Sequence, residues 1–346
     1  MRRGPLACLL WPLSLLMRLI VATRRAAYRF GLLRSGRLPV PVLVVGNLIV
    51  GGAGKTPVVI AVVELLRAAG HRPAIVSRGY GRGDDSPLAV APQSMAADAG
   101  DEPLLLRLRC QVPVWVGRDR QATARALLEQ HPHTSVIVCD DGLQHLALQR
   151  DLQLVVFDER GAGNGWLLPA GPLREPLPAD VSRLNGVATL VVYNAAKPTT
   201  RLPGSRVDAG LRGAVALAAW WRGEAASPAI LDGLRGRPLL AAAGTARPQR
   251  FFAMLRAAGL QINELPLPDH FGFSTLPWPE GTTDVLLTEK DAVKVDPHRL
   301  GDCRAWVVPL DLQLEPELAD QIRQALPPGA TAANQDDPDH DGHTTA

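Results

Sequence analysis

The chain has 346 residues, 47% of them hydrophobic and 21% charged, with a formal net charge of +3. That length suffices for two compact domains of ordinary globular composition, and so small a net charge excludes a chain that binds nucleic acid over its whole surface. The four cysteines, Cys8, Cys110, Cys139 and Cys303, form no C-x-x-C pair, which argues against a zinc site or a disulfide framework and suits a reducing compartment.

The charge is unevenly placed. Eight of the 37 basic residues precede Pro39, and the first acid is Glu64, so the N-terminus is cationic and the remainder is net negative. The same N-terminus is apolar, with Leu6, Leu9, Leu10, Trp11, Leu13, Leu15 and Leu16 followed by Met17, Leu19, Ile20 and Val21. Pro12 suits the first position of a helix, where its missing N–H costs nothing, and Leu13, Leu16 and Ile20 would then share a face. Arg18 leaves the uninterrupted apolar run short of the roughly 20 residues of a spanning helix. Residues 1–30 therefore read best as an interfacial helix on an anionic membrane surface, ahead of a helix packed on the protein's own core or a cleaved signal.

Val42 to Val45 reads as a buried strand, and Val58 to Ala69, stopped by Gly70, as a helix. Between them lie Gly46-Asn47-Leu48 and Ile49-Val50-Gly51-Gly52-Ala53-Gly54-Lys55-Thr56. A strand, a glycine-rich turn and a helix opening with Lys-Thr make a phosphate-cradling loop. Backbone N–H groups and the helix N-terminus would hold the phosphates of ATP, Lys55 would reach their oxygens, and the Thr56 hydroxyl would hold Mg²⁺. Ile49 stands where the usual pattern has its first glycine, so the loop is a variant. Lysine is scarce, occurring only at 55, 197, 290 and 294, which makes a chance lysine here an unattractive explanation.

Apolar runs then alternate with helical patterns, as a parallel sheet requires. Strands are expected at Pro73 to Ser77, Val112 to Gly117, Ser135 to Cys139, Leu152 to Phe157 and Ala188 to Tyr193, with helices over 102–109 and 119–130. Periodicity weakens from about 195 to 236. A second alternation follows: Pro238 to Ala243, a helix over 248–259, Asp284 to Leu287, Ala305 to Pro309 and a helix over 315–326. The expectation is an α/β chain in four parts: the interfacial helix, a nucleoside-triphosphatase-like parallel-sheet core over 31–210, a smaller α/β domain over 211–328, and a polar, disordered tail over 329–346.

Val136 to Cys139 ends in Asp140-Asp141, where a nucleotide fold places its Mg²⁺-coordinating carboxylates. Asp-Asp-Gly is also a good turn, but two adjacent acids repel without a cation, which favours the metal role. Asp101, before the 102–109 helix, is equally suited to capping that helix or to taking a proton from a substrate hydroxyl. His270, in Pro268-Asp269-His270, reads from its surroundings as an ordinary loop histidine. Arg78 and Tyr80 follow a strand end, where ligands bind in such sheets, and the Leu168 to Pro176 loop with Arg174 reads as a connector. Thr288-Glu289-Lys290-Asp291 is superficially like a guanine-reading motif, but Lys290 is displaced by one place.

Taken together, these stretches resemble the tetraacyldisaccharide 4′-kinase family. The resemblance is carried by Pro39-Val40-Pro41, Gly46-Asn47, Gly51 to Thr56, Ser77-Arg78-Gly79-Tyr80, Gly100-Asp101-Glu102-Pro103, Asp140-Asp141-Gly142-Leu143-Gln144-His145, Leu167 to Pro176 and Pro268-Asp269-His270, over residues 39 to about 294. Leu143 stands where an aromatic is common. The resemblance implies transfer of the ATP γ-phosphate to the 4′-hydroxyl of an acylated disaccharide 1-phosphate in lipid A biosynthesis, with Mg²⁺, at the cytoplasmic face of the inner membrane and without nucleic acid. It implies that Asp101 is the base, His270 its partner, and Asn47, Arg78, Tyr80 and Arg174 contacts to the acceptor. The rival is a membrane-associated nucleotide switch with no phosphoryl acceptor.

Overall fold

The computed structural model describes residues 3–79, 82–182 and 184–326. Tyr80 and the tail expected at 329–346 lie outside the described residues.

Helix α1 (Pro5–Arg29) has Pro5 in its first turn, so the helix starts there and Pro12 falls inside it, against the expectation that Pro12 opens it. At 25 residues it is long and apolar enough to cross a membrane by length and composition, because Arg18 interrupts the apolar run without breaking the helix. Leu6, Leu9, Leu13, Leu16, Leu19 and Ile20 stand exposed along it.

Two sheets follow. The first is built from β1 (Val42–Gly46), β2 (Pro73–Ser77), β3 (Leu88–Ala89), β4 (Val114–Val116), β5 (Val136–Asp140), β6 (Leu152–Phe157), β7 (Ala188–Tyr193) and β8 (Ser205–Leu211). The second holds β9 (Val215–Ala216), β10 (Leu239–Ala243), β11 (Ile262–Pro266), β12 (Asp284–Leu287) and β13 (Arg304–Val307), before β14 (Leu310–Leu314) returns to the first. The first sheet runs β14-β8-β7-β6-β1-β5-β2-β4-β3, parallel except for β3 and β14 at its edges; the second runs β11-β10-β12-β13-β9, with β9 antiparallel. Strands β1, β2, β5 and β6 are buried along their whole length, which is why they read as unbroken apolar runs.

Helices fill the crossovers: α2 (Lys55–Ala68), α3 (Ala96–Ala99), α4 (Asp101–Cys110), α5 (Arg120–Gln130), α6 (Leu217–Trp221), α7 (Pro228–Gly233), α8 (Pro248–Ala257), α9 (Glu289–Ala292) and α10 (Pro316–Ala325). One core cluster draws on both sheets, joining Leu43, Val58 and Leu104 to Val285 and Leu287. The stretch with weak periodicity contains β8, paired with β14 (Leu211 opposite Leu310) about a hundred residues later. The chain therefore leaves the first sheet after Leu211 and comes back to it at Leu310.

Strand β1 lies between β5 and β6, in parallel register with both. The carboxyl ends of these central strands open on one crevice, the place where open α/β sheets bind ligands.

Candidate active site

The turn after β1 is pinned from several sides. Gly51 and Gly54 have positive φ (82° and 72°), a conformation that strains other residues, and a Cβ at Gly54 would meet Asn194 Nδ2 at 2.1 Å and displace it. Helix α2 begins at Lys55, three residues before the apolar pattern that announced it, with Gly54 as its cap. Asn47 is fully buried; its Nδ2 donates to Gly51 O (3.2 Å) and its Oδ1 accepts from Lys55 Nζ (3.4 Å). Ile49 is fully buried and bridges to Leu173, so its side chain belongs to the core, while Val50 to Thr56 line a cleft of about 1100 Å³. Arg160, paired with Asp158, donates to Val50 O and Gly52 O.

Register brings the acids to this loop: Val45 on β1 is opposite Asp140 on β5. Asp140 Oδ2 accepts from Ser77 Oγ (3.0 Å), whereas its buried Oδ1 has no hydrogen-bond partner among the described residues. Burial pushes the Asp140 carboxyl up to about 7, with Glu102 and Asp141 adding to the rise and Lys55 opposing it. Asp141, at φ 48°, meets Lys55 Nζ at 3.4 Å and Arg174 Nη1 at 3.3 Å. Burial alone would raise its carboxyl too, but Lys55 and Arg174 outweigh that and hold it below the usual range. Arg174 also donates to Gln144 Oε1 (3.2 Å).

An orphaned buried carboxylate oxygen beside a second carboxylate is what a divalent cation satisfies. Among the described residues no cluster of three or more His, Cys, Asp or Glu side chains forms an all-protein cage. Two carboxylates such as Asp140 and Asp141 are enough for Mg²⁺, which keeps waters and takes further ligands from phosphate oxygens. Thr56, in the first turn of α2, lines the same cleft.

Asp101 opens α4, but Gly100 is the capping residue and no side chain caps the helix. The capping role that Asp101 could have served is thus not the one it has. Its Oδ2 lies 3.0 Å from His270 Nδ1, across 169 residues of chain, and 3.6 Å from Lys294 Nζ. Burial raises the Asp101 carboxyl, yet Lys294 and the His270 hydrogen bond outweigh it and hold it below the usual carboxylate range. His270 sits at φ 60° in the loop after β11, and Lys290 Nζ approaches its Nε2 at 3.3 Å.

Arg78 and Arg174 stand in the cleft wall; Asn47 braces the turn from behind. The sequence made Lys290 and Lys294 conspicuous by the scarcity of lysine but assigned them no role, and it left the docking of α1 as a lesser alternative. Ser14, the one buried residue of α1, donates to Leu167 O (2.8 Å) and accepts from Ala170 N (3.1 Å), while Arg25 pairs with the buried Glu175 beside Arg174. The 168–176 loop is therefore a joint between α1 and the cleft. A serine on an otherwise leucine-rich helix was the available clue.

The chain is similar to known proteins over nearly its whole length. The family model described as tetraacyldisaccharide-1-P 4′-kinase matches residues 6–327. The tetraacyldisaccharide 4′-kinase of Leptothrix cholodnii is 53% identical over 328 residues, covering 94% of this chain and 93% of the relative. That of Methylibium petroleiphilum is 54% identical over 332 residues, covering 95% and 92%. The solved LpxK of Aquifex aeolicus, in complex with ATP, superposes with a TM-score of 0.78 at 30% identity, covering 93% of this chain and 99% of that one.

Proposed function

This chain belongs to the tetraacyldisaccharide 4′-kinase family, and from that premise we propose how its cleft works. The protein is an ATP-dependent kinase of lipid A biosynthesis that phosphorylates the 4′-hydroxyl of a tetraacyldisaccharide 1-phosphate. Val50 to Thr56 cradle the phosphates of ATP through backbone N–H groups, with Lys55 on the transferring phosphoryl group. Thr56, Asp140 and Asp141 hold Mg²⁺, which neutralises charge on the phosphate oxygens when bound.

Asp101 accepts the proton of the acceptor hydroxyl. The hydroxyl oxygen forms its bond to the γ-phosphorus as the bond to the leaving ADP oxygen breaks. His270, donating from Nδ1, orients Asp101. Arg78 and Arg174 contact the anionic acceptor, and Asn47 acts from behind by holding the turn and Lys55. The observation that carries this reading is the meeting of Asp101 and His270 at 3.0 Å in the cleft that the phosphate loop also lines.

The exposed leucines of α1, interrupted by Arg18 and followed by Arg24 and Arg29, seat the protein on the cytoplasmic face of the inner membrane, where ATP and an acylated acceptor can meet. We read residues 31–210 as the kinase core and 211–328 as the smaller domain that supplies His270. The test is an assay with labelled ATP, Mg²⁺ and the lipid acceptor in mixed micelles. Label transferred to the lipid is expected; release of inorganic phosphate alone would overturn the assignment.

A further inference from the structure

Of the four lysines in the chain, three gather at this cleft: Lys55, Lys290 and Lys294. The last two come from Thr288-Glu289-Lys290-Asp291 and the turn that follows it, the stretch whose likeness to a guanine-reading motif had no use in the reaction. Asp291 reads no base. It is fully buried, and its Oδ2 accepts from Gly244 N at the end of β10 (3.0 Å) and from Thr288 Oγ1 (2.7 Å). This fixed carboxylate holds Lys294, whose Nζ lies 3.3 Å from Asp291 Oδ1, 3.6 Å from Asp101 Oδ2 and 5.5 Å from the centre of the Phe273 ring. The Lys294 side chain is only 7% exposed. Position 294 carries a compact ammonium on a flexible stem, although arginine is this chain's usual cation.

Lys290, one helical turn earlier, reaches the other end of the same pair. Its Nζ lies 3.3 Å from His270 Nε2, 3.1 Å from Asp269 Oδ1 and 3.5 Å from Glu102 Oε1. Burial works against its charge, but Glu102 and Asp269 outweigh that and raise its pKa, so it remains an ammonium. An ammonium only donates. A Lys290 donation to Nε2 would place the imidazole proton on Nδ1, the nitrogen facing Asp101, while Asp269 Oδ1 lies 3.9 Å from the same Nε2.

We propose that Lys290 and Lys294 are positioning residues for the phosphoryl transfer, Lys294 holding Asp101 as an oriented carboxylate and Lys290 holding His270 in the tautomer with its proton on Nδ1. The proposal rests on the reading of Asp101 as the group that takes the acceptor's proton. The two lysines bracket the Asp101–His270 pair from outside, so it meets the acceptor hydroxyl already arranged. The charged and titratable groups facing Asp101 are Lys290, Asp291 and Lys294 from α9 and its following turn, Asp269 and His270 from the loop after β11, and Glu102 from its own helix. Without Lys294, burial is opposed by His270 and by the hydrogen bond from the Asp101 backbone N–H. Asp101 then binds its proton more tightly and becomes a base only at higher pH.

The test uses the full chain with Mg²⁺, ATP and lipid acceptor in mixed micelles, comparing wild type with Lys294→Met, Lys290→Met, Asp101→Asn and Asp101→Asn/Lys294→Met. Lys294→Met should lower kcat about 10²-fold, as small misplacements of reacting groups do, while ATP affinity stays within about twofold. The acid limb of its kcat/KM profile should move up by about one pH unit or more. In the Asp101→Asn background the same substitution should cost little further, because Lys294 acts through Asp101. Lys290→Met, whose side chain lies outside the Asp291 cage, should lower kcat with the melting temperature retained. Should Lys294→Met not fold, Lys294→Gln removes the charge while keeping a donor to Asp291, and the same limb is read.

Wild-type kcat and an unmoved acid limb in the Lys294 variant, with Asp101→Asn inactive, overturn the clamp and leave the proton-acceptor reading standing. A full additional loss in the Asp101→Asn background, or wild-type kcat in Lys290→Met, also overturns the clamp. Wild-type turnover in Asp101→Asn overturns the proton-acceptor reading itself, and the clamp with it.

Discussion

Lys55 Nζ stands 3.4 Å from Asp141 Oδ1, joining the first residue of α2 to the acid that follows β5. The contact exists because β1 and β5 are neighbours in parallel register, so the turns leaving them face each other. A phosphate arriving in the cleft finds a lysine already oriented, with Asn47 Oδ1 behind it.

Lys55→Ala should nearly abolish transfer. Loss of one electrostatic contact to developing charge typically lowers kcat by about 10²–10³. Steady-state kinetics with saturating lipid check this; near-wild-type turnover would remove the phosphate loop from the mechanism.

Asp101→Asn should lower kcat by about 10²–10⁴ and leave ATP binding nearly intact, since the amide keeps the shape but cannot take a proton. His270→Ala should cost less. The double variant should be less impaired than the product of the two, because the residues share one hydrogen bond. Multiplicative losses in that cycle would show two independent roles.

Metal dependence should follow the Asp140 carboxyl. Its pKa in the folded protein is about 7, above the ordinary carboxylate value near 3.9, so without metal the folded state binds the extra proton between those two values. The folded state thus holds more protons than the unfolded one, and metal-free stability should fall as pH rises from about 4 to about 7. Mg²⁺ replaces that proton, so the rise in melting temperature on adding Mg²⁺ should grow over the same window. Thermal melts with and without Mg²⁺ measure this, and Asp140→Asn should flatten the trend. A Mg²⁺ effect independent of pH in the wild type would separate Asp140 from the cation.

Helix α1 should have two separable roles. Deleting residues 1–22 should weaken membrane partitioning and raise the KM for lipid more than for ATP, because the exposed leucines are lost. Ser14→Ala should leave partitioning unchanged but lower stability by about 1–3 kcal/mol, by removing the buried hydroxyl that pairs Leu167 O and Ala170 N. Flotation on vesicles and thermal melts read the two effects; a melting temperature unchanged in Ser14→Ala would show that the helix does not brace the 168–176 loop.

Several features were legible in the sequence because neighbouring residues decide them. The unbroken apolar runs of β1, β2, β5 and β6 report burial on both faces, and the glycine turn with Lys55-Thr56 is set by local backbone geometry. Asp140-Asp141 at a strand end followed from the same logic. By contrast, Ser205 to Leu211 alternates only weakly, and it is a strand because Leu310–Leu314 pairs with it. Periodicity reports which face of a segment is buried, not against which distant segment. The same limit hid the pairing of Asp101 with His270: they gave even or ordinary readings as residues, and only the packing of α4 against α9 and the loop after β11 set them 3.0 Å apart between two lysines. Composition made those lysines conspicuous by their rarity, but the sequence does not show that Lys294 is held by Asp291, itself buried and bound to Gly244 N after β10 and to Thr288, nor that Lys290 is held by Asp269 and Glu102. Side-chain charges acquire chemical meaning only where burial and a named neighbour fix their geometry, and that is decided by tertiary structure.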